Sequence, residues 1–140
     1  MQKYFKKIDF VFYNEKIIRL AVIEEREAPI KPELKNGSGL SDPTARDAIR
    51  NLTPLLFVEI AGDFLKFPES WLEVIDKTYN WCKRQSIVHF ESVRRKYLGD
   101  HYKKICRDLH ISATTFHNMI HRARQYAALQ AVQLHLIFVD

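Results

Sequence analysis

Cysteine is scarce: Cys82 and Cys106 are the only two in 140 residues, too few to frame a disulfide-bonded secreted domain. The first thirty residues contain no apolar core followed by a small-residue cleavage site, so no secretory leader is read there. A reducing, cytoplasmic compartment is the expectation. The longest apolar runs, such as Leu20 to Ile23, Leu55 to Val58 and Leu136 to Val139, fall far short of the roughly 20 residues that span a bilayer. Membrane partners are excluded on that count. Phosphate-cradling glycine loops and the His-Glu-x-x-His metalloprotease signature are missing as well, which argues for a protein that binds rather than catalyses. Asn-Gly turns between alternating runs are absent, since Asn36-Gly37 sits in an irregular stretch. The expected class is therefore all-α.

Acidic residues have an uneven shortage. No Asp or Glu occurs from Leu109 to Val139, although the chain as a whole carries 17 of them against 22 Lys and Arg. From Lys83 to Arg124 ten basic residues face Glu91, Asp100 and Asp108 alone. That segment holds a net +7, so the rest of the chain carries −2 of the overall +5. A basic half joined to a mildly acidic one is the electrostatic footprint expected of a nucleic-acid binder.

With 46% apolar and 12% aromatic residues, the chain has ample material for one core at this length. The stretch from Gln2 to about Arg26 has no Gly or Pro, and Tyr4, Phe5, Ile8, Val11, Phe12, Ile18 and Val22 recur at helical spacing. It reads as one long amphipathic helix, in preference to a strand at Phe10 to Tyr13. Pro29, Pro32, Gly37, Ser38 and Gly39 then punctuate a linker. A helix resumes at Ser41-Asp42-Pro43-Thr44, with Asp42 as cap and Pro43 in the first turn, and ends near Asn51. Thr53-Pro54 repeats the device and predicts a short helix through Leu55, Leu56, Val58 and Ile60 towards Leu65. Trp71, Leu72, Ile75, Tyr79 and Cys82 mark the next helix face, and Ile87 to Leu98 another, stopped by Gly99. The organisation expected is residues 1–52 as N-terminal helix, linker and capped helix, and residues 53–140 as a C-terminal helical bundle.

Within that bundle, residues 100–126 fit a helix-turn-helix position by position. With Tyr102 as the first position, Ile105, Leu109, Ile111, Phe116 and Met119 fall at the inward-facing places. Cys106 supplies the small residue that faces the second helix. His110 stands where a left-handed backbone is often required, and Ser112 is a good N-cap. The second helix then exposes Ala113, Thr114, His117, Asn118 and His121, groups able to reach base edges.

The same residues admit other chemistry. Cys106/His110 and His117/His121 have the i, i+4 spacing that can share a metal ion, but the register turns the two pairs apart, so no metal and no cofactor is expected. Cys82 lies on an apolar stripe, where a packed thiol is the usual state. Trp71 and Tyr79 share a core face, whereas Trp81 falls off it and is the aromatic expected to meet a surface or partner. The run Arg94-Arg95-Lys96 is read equally as a solvated face or as a phosphate clamp.

The run Ile111 to Phe116 with His121-Arg122-Ala123-Arg124 resembles the recognition helix of region 4 of bacterial sigma factors. More of the chain is similar to the ArpU/RinA-like phage transcriptional regulators: the N-terminal helix, Ser41-Asp42-Pro43-Thr44-Ala45 ahead of Ala48-Ile49, Tyr79-Asn80, and Ile105 to Ser112. The resemblance implies a regulator of phage or prophage late, packaging or lysis genes that recognises promoter DNA. On this reading Thr114, His117, Asn118 and His121 contact bases in the major groove, and Lys103, Lys104, Arg107, Arg122 and Arg124 hold phosphates. RNA polymerase or a sigma factor is a further partner. Two rivals remain, a sigma-like negative effector that does not read DNA and a small terminase subunit. A homodimer is slightly favoured, formed through Phe5, Ile8, Phe12 and Val22 at one end and Leu129 to Val139 at the other; the alternative is that the N-terminal helix packs along the last one.

Overall fold

The computed structural model describes residues 2–27 and 53–138. The expected linker, the helix expected from Ser41 and the Ser-Asp-Pro-Thr phrase lie outside the described residues. Among the described residues there are six helices and one hairpin: α1 (Gln2–Tyr13), α2 (Glu15–Glu27), β1 (Phe57–Ile60), β2 (Asp63–Lys66), α3 (Pro68–Gln85), α4 (Ile87–Tyr97), α5 (Tyr102–Leu109) and α6 (Ala113–Gln133). Two compact units are formed, Met1–Glu15 with Ser70–Asp140, and Lys16–Glu69.

Two expectations need correction. The N-terminal stretch is not one helix but two, broken at Asn14. There the side-chain amide Nδ2 donates to the Phe10 carbonyl at 2.8 Å, and the Asn14 backbone N–H donates to the same oxygen. Two donors of Asn14 thus share one acceptor, a local side-chain-to-backbone bond typical of short polar side chains.

The helix expected from Thr53 to about Leu65 is a hairpin instead. Val58 pairs with Leu65 and Ile60 with Asp63 in antiparallel register. Val58, Ile60 and Leu65 are buried while Phe57, Glu59 and Phe64 point outwards, a period of two that a helix cannot satisfy. Outside, Phe57 and Phe64 meet edge to face at 5.2 Å. Ala61 and Gly62 both have positive φ, 52° and 87°, the requirement of a two-residue type I′ turn. The pair of strands is closed further by the Phe67 N–H donating to the Leu56 carbonyl. In the same unit Arg26 of α2 reaches Glu69 and the Thr53 carbonyl.

The larger unit is a helical bundle assembled around α6. Phe116, Ile120, Ala123, Ala127 and Ala131 form its buried seam, with helical spacing and side chains small enough for close neighbours. Both α1 and α4 pack on it, and α5 closes against α4 and α6. Trp71, Ile75, Tyr79 and Cys82 of α3 are buried, as their spacing predicts. Trp81 is half-buried, stacked on Tyr126 at 4.9 Å with the rings 11° from parallel. Its role is to join α3 to α6, not to stand free. Ile8 and Phe12 are also buried, so α1 lies along the last helix within one chain. After Gln133 the chain turns through His135 at φ 59° and buries Ile137, leaving Leu129 and Phe138 exposed.

One carboxylate ties the bundle together. Asp9 of α1 accepts from Tyr97 of α4 at 2.6 Å and from Arg124 of α6 at 3.0 and 2.9 Å. Arg124 and Asp9 are only 26% and 27% exposed, so the two-pronged pair is well shielded. Asp9→Ala is expected to cost about 1.5–3 kcal/mol, the range for a hydrogen bond to a charged group. Urea unfolding checks this, and Asp9→Asn should lose less because it retains an acceptor for Tyr97.

Candidate functional site

Helix α5 begins at His101, whose Nδ1 accepts from the Lys103 N–H at 3.2 Å. It ends at His110, with φ 56° and ψ 46°, the left-handed conformation its turn position calls for. The Ile111 N–H returns to the Cys106 carbonyl at 3.0 Å, satisfying a group that the helix end would otherwise leave unpaired. Ser112 then opens α6: its Oγ accepts from the Thr115 N–H at 3.1 Å. Cys106 Sγ lies 3.8 Å from the Ser112 carbonyl, a separation that a bulkier side chain would not permit. Ile105 and Phe116 are buried between the helices, and Leu109, Ile111 and Met119 are half-buried.

This arrangement places Thr114, His117, Asn118 and His121 on one exposed face across the first turns of α6. Their surroundings differ. The His117 ring lies 5.3 Å from that of Tyr102, and His121 meets Phe5 of α1 edge to face at 5.6 Å. Thr114 and Asn118 are exposed, and Asn118 lines two concavities.

The cations separate into two groups. Lys103, Lys104, Arg107 and Arg122 are exposed and form no ion pair among the described residues. Arg124 is held by Asp9. In the run ahead of α5, Arg94 pairs with Glu15 at 2.8 Å, and Arg95 spans Asp100 and Asp108 at 2.9 and 2.8 Å. Arg95 holds the Asp108 carboxyl below the usual carboxylate range. Two of the three acidic residues in the basic segment thus share one arginine, and Asp108 also feels the charges of Lys104 and Arg107. Lys96 donates to the Tyr13 hydroxyl and lies over the Tyr13 and Tyr97 rings at 4.8 and 4.9 Å, a cation–π arrangement.

A groove of about 840 Å³ runs beside α6. It is lined by buried Phe116 and Ile120, by Tyr13 of α1, Lys96 of α4 and Tyr102 of α5, and by His117, Asn118 and His121 of the candidate face. A smaller hollow of about 330 Å³ on the other flank is lined by Gln85, Ser86, Thr115 and Arg122 among others. Sequence reasoning missed the groove, because α1 and α4 supply one side of it from far away in the chain. Elsewhere, burial pushes the Cys82 thiol up to about 12, a packed and unreactive state. Among the described residues no three His, Cys, Asp or Glu gather as a metal site, and no helix is long and apolar enough to cross a membrane.

No protein-family model matches the chain, and no curated protein or solved structure shows significant similarity to it.

His89 supports the candidate face from behind. It is 4% exposed, and its Nε2 lies 3.1 Å from the Met119 carbonyl on α6. A carbonyl only accepts, so Nε2 carries the proton. Burial lowers the His89 pKa below its ordinary 6.5, with smaller effects from the Met119 hydrogen bond, which raises it, and Arg122, which lowers it. The unfolded chain therefore binds this proton more readily than the folded one. The contribution to stability is full above the unfolded value and declines as pH falls through 6.5 towards the folded value. Urea titrations at a series of pH values should show the wild type losing more stability than His89→Gln between about pH 7 and pH 5.

Proposed function

We propose that the protein is a DNA-binding transcriptional regulator whose α5, connecting turn and α6 act as a helix-turn-helix. The observation that carries the reading is a single face of α6 with exposed, uncharged hydrogen-bonding side chains, bordered by four exposed cations that form no salt bridge among the described residues. Thr114, His117 and Asn118 take base edges in the major groove, asparagine being matched to adenine. His121, its ring against Phe5, stands at the rim of that set. Lys103, Lys104, Arg107 and Arg122 hold phosphates, which positions the helix without specifying sequence. Arg124 is reassigned to the bundle, where Asp9 engages its guanidinium.

The resemblance to ArpU/RinA-like regulators and to sigma region 4 directs the reading towards promoters of phage or prophage late, packaging or lysis genes, with RNA polymerase or a sigma factor as further partner. A single copy is favoured as the binding unit because Ile8 and Phe12 are covered within the chain, although Leu129 and Phe138 of the other apolar stretch stay exposed.

The test is selection of duplexes from a randomised pool, followed by anisotropy titrations over a range of salt. Contacts from the four free cations give a log–log salt slope of about −3.6 or steeper. Absence of duplex binding would overturn the reading in favour of a protein-binding module. Asn118→Ala is expected to cost about 1–3 kcal/mol at one base position and relax preference there. Lys104→Ala should instead weaken all sequences alike and flatten the slope by about one. Equal losses on selected and scrambled duplexes for Asn118→Ala would remove it from the reading set.

A further inference from the structure

The N-terminal helix has no part in a two-helix DNA-binding motif, yet its contacts bring it to the edge of the candidate face. Phe5 meets His121, and Asp9 engages Arg124. Because the paired positions advance together along both chains, α1 and α6 run in the same direction. The start of α1 therefore lies beside the stretch of α6 that carries His117, Asn118 and His121. Tyr13, at the other end of α1, faces the groove. Lys6 precedes Tyr13 by seven residues, two helical turns, and so shares its side of the helix; it is exposed.

Charge and hydrogen-bonding capacity indicate what this groove takes. The two carboxylates nearest it, Asp9 and Asp100, are engaged by Arg124 and Arg95. Lys6 and Lys96 have no carboxylate partner among the described residues. The Tyr13 oxygen accepts from Lys96 Nζ, which leaves the hydroxyl hydrogen of Tyr13 free to donate. Lys96 and the Tyr13 hydroxyl line the groove and exposed Lys6 lies two turns back along the same side of α1, a set that suits a chain of anionic groups with acceptor oxygens. The groove also adjoins the base-reading face, where a strand of bound DNA must pass.

We propose that this groove is the seat of the sugar–phosphate backbone of one DNA strand, and that α1 is a second DNA-contacting element holding it through Lys6, Tyr13 and Lys96. The inference rests on the DNA-binding reading of α6 and adds to it a partner surface drawn from the opposite end of the chain. It explains why the bundle fixes α1 with a shielded ion pair: the helix forms one side of the channel.

The test uses the full-length protein and a duplex selected from the randomised pool, with a scrambled duplex beside it. Lys6→Gln/Lys96→Gln keeps much of the packing stems and removes two charges. The expected result is a salt slope flatter by about two, at about 0.9 per phosphate contact. The ratio of affinities for selected and scrambled duplexes stays unchanged. Hydroxyl-radical footprinting should also lose protection on one strand beside the major-groove contacts. Lys6→Gln alone, at an exposed position, should flatten the slope by about one even if the double variant folds poorly. A wild-type slope and footprint in Lys6→Gln, with flattening in Lys104→Ala, would overturn the channel and leave the α6 reading intact. Failure of the wild type to bind any duplex would overturn both.

Discussion

The Asp9 carboxylate is the constraint on which the larger unit depends. Three helices distant in sequence converge on it: α1 contributes the acid, α4 the Tyr97 hydroxyl and α6 the Arg124 guanidinium. Burial comes first among the causes that raise the Tyr97 pKa, followed by its bond to Asp9, so the phenol remains a donor. Apolar packing alone, from Ile8, Val11 and Phe12, gives a helix a buried face but little axial register. A two-pronged arginine supplies that register, because both N–H bonds must be met at once. Once α1 is fixed, Phe5 reaches His121 and Tyr13 reaches Lys96, and the groove acquires its second side.

A division of labour among the charges follows. Arg94, Arg95 and Arg124 are absorbed by Glu15, Asp100, Asp108 and Asp9. Arginine suits these places, since its planar fork can bond two oxygens together. The cations beside the candidate face that form no salt bridge among the described residues are Lys103, Lys104, Arg107 and Arg122. Their field is unopposed from Leu109 onwards, where no acidic residue occurs before Asp140. The positive surface thus arises from the excess of basic residues in this segment, while the ion pairs decide which of the cations stay exposed.

Much of this bundle was legible in the sequence. The left-handed His110 and the Ser112 cap followed from position within a two-helix register, because turn geometry is a local property. The faces of α3 and α4 followed from spacing. The hairpin was hidden because its outward positions include Phe57 and Phe64, which are 55% and 65% exposed, so the apolar–polar alternation that announces a strand is blurred. Its Ala61-Gly62 turn is also a weaker signal than Asn-Gly, since alanine meets positive φ at a steric cost. The break at Asn14 interrupts no apolar position, so periodicity does not register it. The fate of Arg124 depended on Asp9, 115 residues away, and no local pattern encodes such a pairing. For the same reason Lys6 and Lys96 could not be recognised as neighbours of one groove.

The central claim is that DNA is bound by the exposed face of α6. Amide chemical-shift mapping on the isotopically labelled protein, titrated with a selected duplex, tests it most directly. The account predicts that the largest changes cluster at Thr114, His117, Asn118 and the start of α5, while the hairpin resonances of Phe57 and Phe64 stay in place. Changes confined to the hairpin and α2, with α6 unaffected, would contradict it.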